Sequence, residues 1–582
     1  MVFLSTDRKG LAVARFARPF SAPNVADFAI LAMIGAVAVL VVRGVADMDR
    51  PLAQLRSHPV VLELSRLPGY AIDTTLRMFA AILCSLVFTF VVGSLAAKSR
   101  KAALVVVPAL DVLQSVPVLG FLTFTVAFFL NLFPGSELGA ECASIFAVFT
   151  AQAWNMAFSF YQSLRTLPGD LDQASRQFGL SPWLRFLRLE LPFATPGLIW
   201  NTMMSMSGGW FFVVASEAIT VGNKTVTLPG IGSWLALAIE RRDFGAVAWA
   251  VAAMAVVIGL YDQLLFRPIV AWADKFRFEQ TASEAKPQSW LFDLIRRTRA
   301  LRALNLPLAG IGRVIAGIPL PRLRVSAPPP SPRLALWLDR LWLAAVVAIT
   351  LLLAVKAAAI LGRTLDLKDA AAVAGLGVLT LIRVLVLIAI ASAIWVPIGV
   401  WIGLRPAWTE RVQPFAQFLA AFPANVLFPA AVVLIVSFRL NPDVWLSPLM
   451  VLGTQWYILF NVIAGASAIP TDLKEAGAIF GVRSWQWWRQ IGLPGIFPHY
   501  VTGAITASGG SWNASIVAES VSWGRTHLAA KGLGSFIADA TASGDLPRVG
   551  LGVAIMSLFV ITLNRLLWRP LYGLAERRLR LD

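Results

Sequence analysis

Twelve long apolar runs, parted by short polar or basic stretches, leave this chain few possible folds. They fall near residues 25–43, 70–97, 103–130, 140–163, 193–220 and 245–266, then 341–361, 372–404, 410–438, 445–468, 495–522 and 550–568. A run of roughly 20 apolar residues matches a helix crossing a hydrocarbon layer about 30 Å thick. Backbone amides in that layer must pair within the segment or around a closed barrel. A barrel would show short alternating strands, and none are evident. Composition agrees: 58% of the 582 residues are hydrophobic and only 14% charged, too few to cover a soluble domain. The expected fold is all-α and polytopic. Cys84 and Cys142 lie in or beside apolar runs without metal-ligand spacing, as small packing residues would.

The runs fall into two sets of six that share one register. At a constant offset of 302, Pro168 matches Pro470, Asp170 matches Asp472, Pro196 matches Pro498 and Trp210 matches Trp512. The register holds through Glu217 and Glu519, Gly230 and Gly532, Gly232 and Gly534, and Arg267-Pro268 and Arg569-Pro570. Pro117 and Pro423, each nine residues after another proline, mark a bend inside a second pair of matching runs. An even number of crossings per half gives both halves the same orientation, a parallel repeat of about twelve helices. The expected divisions are an amino-terminal segment 1–24, a first half 25–268, a basic linker 269–340, a second half 341–570 and a basic tail 571–582.

The net charge of +18 is read as topology rather than nucleic-acid binding, because Lys and Arg cluster between the runs. Their distribution puts both termini and the linker in the cytoplasm, although Arg241 and Arg242 fall on the opposite side. The opening residues through Pro23 are polar and basic and show no cleavable signal, so the first run is expected to be retained. In the linker, Ser289 to Leu304 has the pattern of an amphipathic helix, with Trp290, Leu291, Leu294, Ile295 and Leu301 opposed to Arg296, Arg299 and Arg302. It could rest on anionic membrane lipid or serve as a basic tether. The stretch Ala327 to Pro332 should be a stiff spacer.

Between the fourth and fifth runs of the second half stands LKEAGAIFGVRSWQWWRQIGLP, Leu473 to Pro494. Glu475, Ala476 and Gly477 are followed by Gly481, Ile491 and Leu493-Pro494. A copy in the first half has Gln173, Ala174 and Ser175, then Gly179, Leu189 and Leu191-Pro192. Pro168 and Pro470 should end the incoming span, and Asp170 and Asp472 should favour the start of a short helix. Gly179 and Gly481 suit a turn with positive φ, Pro192 and Pro494 the first turn of the next span. The small residues Ala174, Ser175, Ala476 and Gly477 would let a partner come close.

Among the ionisable residues within the runs, four occupy equivalent places in the two halves, and a lone charge there costs at least about 2.5–3.5 kcal/mol. Glu217 and Glu519 sit late in the fifth run of each half, Arg77 and Arg383 early in the second. They read either as two Arg–Glu pairs bracing an outer gate or as contacts for a polar solute. Trp210, Trp512 and Asn513, beside Gly208 and Gly510, are candidates for the lining of a pathway or for core positions.

The loop spacing resembles the EAA-x3-G-x9-I-x-LP motif of permease subunits in ATP-binding-cassette importers. With the outer Leu228-Pro229-Gly230-Ile231-Gly232-Ser233 turn and the fifth-run glutamate, the pattern resembles the nitrate/sulfonate/bicarbonate (taurine-type) group, fused as two subunits in one chain. The first copy departs at Gln173, Ser175 and Leu189. The resemblance implies a bacterial inner-membrane protein whose loop helices dock on two ATPase subunits, and whose outer loops gate the pathway and meet a periplasmic solute-binding protein. It implies alternating access, with ATP and Mg held by the ATPase partners and no cofactor in this chain. The chain itself has no GxxxxGK[ST] loop to cradle phosphates, no HExxH and no GxSxG, so it has no sign of being an enzyme. A secondary transporter with parallel repeats, needing no ATPase, and a membrane scaffold remain the alternatives.

Overall fold

The computed structural model describes residues 60–221, 224–276, 289–298, 332–361 and 366–578, with scattered positions between 28 and 39. Most of the run at 25–43, and the linker between Arg299 and Ser331, lie outside the described residues. The first half contains α1 (Leu67–Phe88, continuing through a π turn to Lys98), α2 (Arg100–Ser115), α3 (Val118–Leu132), α4 (Leu138–Arg165), α5 (Gly169–Gln177) and α6 (Leu191–Glu217). A hairpin of β1 (Ala218–Val221) and β2 (Lys224–Thr227) follows, then α7 (Ile231–Arg241) and α8 (Phe244–Tyr261, continuing to Ala273). The linker carries α9 (Trp290–Arg297).

The second half repeats the order. It has α10 (Pro332–Leu361), α11 (Leu367–Gly403), α12 (Pro406–Ala421), α13 (Phe428–Ser437), α14 (Gln455–Ser467), α15 (Thr471–Ile479) and α16 (Leu493–Ala518). The hairpin β3 (Ser520–Trp523) and β4 (Thr526–Ala529), α17 (Leu533–Ser543) and α18 (Leu546–Leu563, continuing to Ala575) complete it.

Local chemistry sets most breaks. Ser99 is extended and its hydroxyl accepts from the Ala102 amide at 3.2 Å, separating α1 from α2. Val116 and Phe422, each before a proline, are forced out of the helical region, so both third runs break there. The break in the second half bends its two segments by 77°. Pro448 stands where the first half has Phe146, and it helps split the fourth run into short turns ahead of α14, with a 43° bend. The matching α4 is one helix of 28 residues.

Among the described residues, four helices are long and apolar enough to cross a membrane by length and composition, and two bent pairs add up to two more. The long helices α4, α6 and α16 are less apolar because Ser, Thr, Asn and Gly recur along them, with Gln152 in α4. Other helices surround those side chains, where polar groups find partners instead of lipid. The fifth runs, expected to continue to 220 and 522, stop at Glu217 and Ala518. The chain then turns into hairpins registered Ala218 to Thr227 and Ser520 to Ala529, with β-branched residues favouring strand.

The halves interlock. α3 lies against α16, α17 and α18, and α12 lies against α6 and α8, so each broken third run crosses to the other half. One apolar core runs through both, including Trp210, Trp234 and Trp512. Trp200 stacks on Phe460 at 5.2 Å between α6 and α14.

Candidate functional site

Two duplicated constellations bring the singled-out residues together, one in the loops and one at the ends of the fifth helices. In the loops, Pro168 and Pro470 precede α5 and α15 in extended conformation, and Asp170 and Asp472 sit in the first turns. Both helices end identically. Gly179 has φ +66° and Gly481 φ +64°. The Leu180 amide returns to the Ser175 carbonyl at 3.1 Å, and the Val482 amide to that of Gly477 at 2.9 Å. This closing pattern satisfies carbonyls that a helix end would otherwise leave open, and it suits glycine because it needs positive φ.

Different chemistry holds the two loops in the same shape. In the first, Arg185 bridges Asp172 at 3.3 Å and Glu190 at 3.2 Å, and Lys98 reaches Glu190 at 2.7 Å. In the second, Trp487 lies against Gly492, and Ile491 lies under Gly477, where an added Cβ would stand 2.5 Å from its Cδ1. Ser175 and Gly477, expected to admit a partner, are buried and face their own loop instead. The last turn rotates them inward. Gln173 and Glu475 are exposed, Ala174 and Ala476 half-buried, and Phe178 and Phe480 open to solvent, Phe480 by 81%.

At the other constellation the expected pairs form. Arg77 reaches Glu217 at 2.8 Å, and Arg383 reaches Glu519 at 3.0 Å. Each arginine also holds a carbonyl of the following turn, Pro229 at 2.7 Å and Lys531 at 2.9 Å. The far oxygen of each glutamate accepts a turn amide, Gly232 at 2.7 Å and Gly534 at 2.8 Å. Thr74 and Thr380 accept from the Ile231 and Leu533 amides at 3.0 and 2.9 Å. Side chains on Gly230, Gly232, Gly532 or Gly534 would enter the carboxylates or the carbonyls of Val214 and Ser515. The network therefore pins α1 and α11 to the hairpin ends, once in each half.

The remaining candidates lie between halves or in the core. Asn513 accepts from the Val118 amide at 2.7 Å and so caps the start of α3 from the other half. Trp512 is buried and stacked on Phe559. Trp210 is also buried, and it forms part of a cavity of about 570 Å³ between α6, α8 and α12 that also includes Met203, Ser207, Asp262, Gln417 and Phe418. On the side of the hairpins, Arg242 reaches Thr526 at 3.2 Å and the Gly524 amide reaches the Ile239 carbonyl at 2.9 Å, so this side joins the halves too.

The family described as binding-protein-dependent transport system inner membrane component matches residues 89–265 and again 395–581. This chain belongs to that family. The permease is similar to the bicarbonate transport system permease protein of Synechococcus elongatus, 27% identical over 176 residues, 30% of this chain and 60% of the relative. It is 26% identical over 184 residues to the nitrate import permease protein of Leptolyngbya laminosa, 32% of this chain and 62% of the relative. It is also 26% identical over 194 residues to the glycine betaine/proline betaine transport system permease protein of Escherichia coli, 33% of this chain and 51% of the relative. These matches span only about half to three-fifths of each relative.

Two further carboxylates of the permease's charge networks, Glu141 buried and Asp443 partly exposed, escaped the sequence reading. Glu141 grips Arg77 through both oxygens at 2.6 Å, and Asp443 meets Arg383 at 3.4 Å. Both lie at the edge of a fourth run, and they match at the same offset of 302. That register was the signal that could have found them. Among the described residues no group of three His, Cys, Asp or Glu side chains is placed to hold a metal.

Proposed function

We propose that this permease is the membrane component of an ATP-binding-cassette importer, carrying a small polar or ionic solute by alternating access. Two separate ATPase subunits dock on α5 and α15 and hold the ATP and Mg. The observation that carries this reading is the duplicated loop helix, ended in each half by a glycine with positive φ. A rigid end converts displacement of the helix into displacement of the spans on either side. The exposed rings of Phe178, Phe480 and Trp485 supply apolar surface that a soluble partner would cover. Gln173, Glu475, Ala174 and Ala476 lie on the same short helices and would share the contact, while Gly179 and Gly481 hold the helix ends.

The paired charges act in this scheme as braces. Glu217 and Glu519 already accept from an arginine and a backbone amide, which favours Arg77, Arg383 and the glutamates as a gate framework over a solute-binding role. Asn513 supports the facing α3 at the contact between halves, and Trp512 stiffens the second half by packing on Phe559. The solute path passes between the halves beside Trp210. Closing of the ATPases draws α5 and α15 together, and the halves rock about their shared axis. A solute-binding protein would deliver its load on the side of the two hairpins, in a bacterial inner membrane with both termini inside. The divisions 25–268 and 341–570 then act as the two rocking units.

Reconstitution tests the reading. The permease is purified with any ATPase subunits that copurify with it and placed in liposomes, with bicarbonate, nitrate and glycine betaine offered as labelled solutes. Uptake that requires ATP on the loop side supports an importer. Uptake by the isolated chain on an ion gradient, unaffected by ATP, would establish a secondary transporter instead.

A further inference from the structure

We propose that α9 is a lipid-reading element that lies on anionic headgroups at the cytoplasmic surface of the membrane. The proposal rests on the reading that the linker is cytoplasmic. The helix from Phe244 to Ala273 has 30 residues, about 45 Å at 1.5 Å per residue, against a hydrocarbon layer of about 30 Å. Its last turns therefore stand at headgroup depth. They carry the Arg267–Asp262 ion pair at 3.0 Å, an exposed Trp272, and Lys275 with its Nζ 4.3 Å above the Trp272 ring.

α9 packs on these turns. The Ser289 hydroxyl accepts from the Phe292 amide at 3.2 Å and starts the helix, while Leu291 is sealed against the chain. The apolar arc is wider than the surface the chain covers. Trp290 remains 56% exposed and Ile295 is exposed on the other margin. Arg296, Arg297 and Asp293 occupy the opposite, exposed side. An exposed tryptophan flanking cations is poorly placed in water and well placed at headgroup level, where the ring meets acyl chains and the charges meet phosphate. Lys275, Arg296 and Arg297 outnumber Asp274 and Asp293, and the sequence continues with Arg299 and Arg302. That balance favours an anionic bilayer over a neutral one.

The test uses the full chain with Cys84 and Cys142 replaced by serine and a nitroxide on an Ile295→Cys variant. It is placed in nanodiscs of phosphatidylcholine, with or without phosphatidylglycerol, and probed with oxygen and a soluble nickel chelate. The expected result is high oxygen and low nickel accessibility in the anionic discs. Each of Arg296→Gln and Arg297→Gln should weaken that immersion about fivefold. Equal accessibility in both lipids, unchanged by the arginine variants, overturns the proposal. So does a label hidden from both probes everywhere, which would point to a protein covering this face. Reaction of the Ile295→Cys thiol with an impermeant maleimide added to intact cells would sink the orientation itself, and with it the import scheme, independently of the lipid comparison.

Discussion

Arg77 and Glu217 are 140 residues apart in the chain and 2.8 Å apart in space, with 1% or less of either side chain exposed. Glu141 holds the other edge of the same guanidinium, so the unit is a triad rather than a pair. Breaking a buried ion pair by removing one partner costs about 3–5 kcal/mol, because the other charge is left uncompensated. The members are not equivalent. Arg77→Gln strands two carboxylates, whereas Glu217→Gln leaves Arg77 bound to Glu141. Arg77→Gln should therefore lose more stability, read as the thermal midpoint of the purified permease in detergent. Equal losses would contradict the triad.

The second half should tolerate change better. Asp443 is one methylene shorter than Glu141, 40% exposed, and shares its Oδ1 with the Lys531 amide at 2.7 Å. Glu141→Asp withdraws a buried two-point contact and should cost about 1.5–3 kcal/mol, the range for hydrogen bonds to charged groups. Asp443→Asn should cost under about 1 kcal/mol, as for exposed ion pairs. Comparing the two melting shifts checks the asymmetry, and a reversed order would refute it.

Glycine tolerance separates turns by what stands beside them. At Gly477 an added methyl meets the movable end of Ile491, so Gly477→Ala should change stability by less than about 1 kcal/mol. At Gly232 and Gly534 the methyl meets the backbone carbonyls of Val214 and Ser515, which have nowhere to go. Gly232→Ala and Gly534→Ala should reduce folded yield sharply, measured as the monodisperse fraction after detergent extraction.

Gly481 tests the loop as a lever. Its φ of +64° is costly for a branched side chain, by at least about 1–2 kcal/mol. Gly481→Val should leave membrane insertion intact, because the strain is local to the end of α15. It should lower solute moved per ATP hydrolysed in the reconstituted complex. An unchanged ratio in a protein with a normal melting curve would count against docking at α15.

Much of this architecture is written locally. A residue's transfer free energy depends on its own side chain, so the apolar runs show in the residue order. Proline geometry is equally local, which is why the breaks at Pro117 and Pro423 were legible, as were the turns at Gly179 and Gly481. The duplication shows in the offset of 302 because matching residues recur along the chain itself, whatever the fold.

What lies beyond that depends on partners supplied from elsewhere in the chain. That Ser175 and Gly477 turn inward follows from how each loop closes on its own next turn. The fifth runs end at Glu217 and Ala518 because side chains from α1 and α11 pin the turns that follow. Glu141 gains its role only because α1 brings a guanidinium within 2.6 Å of it. Hydrophobic length is an additive property of neighbours in sequence. The pairing of a buried charge is a property of the space between helices, and no single stretch contains it.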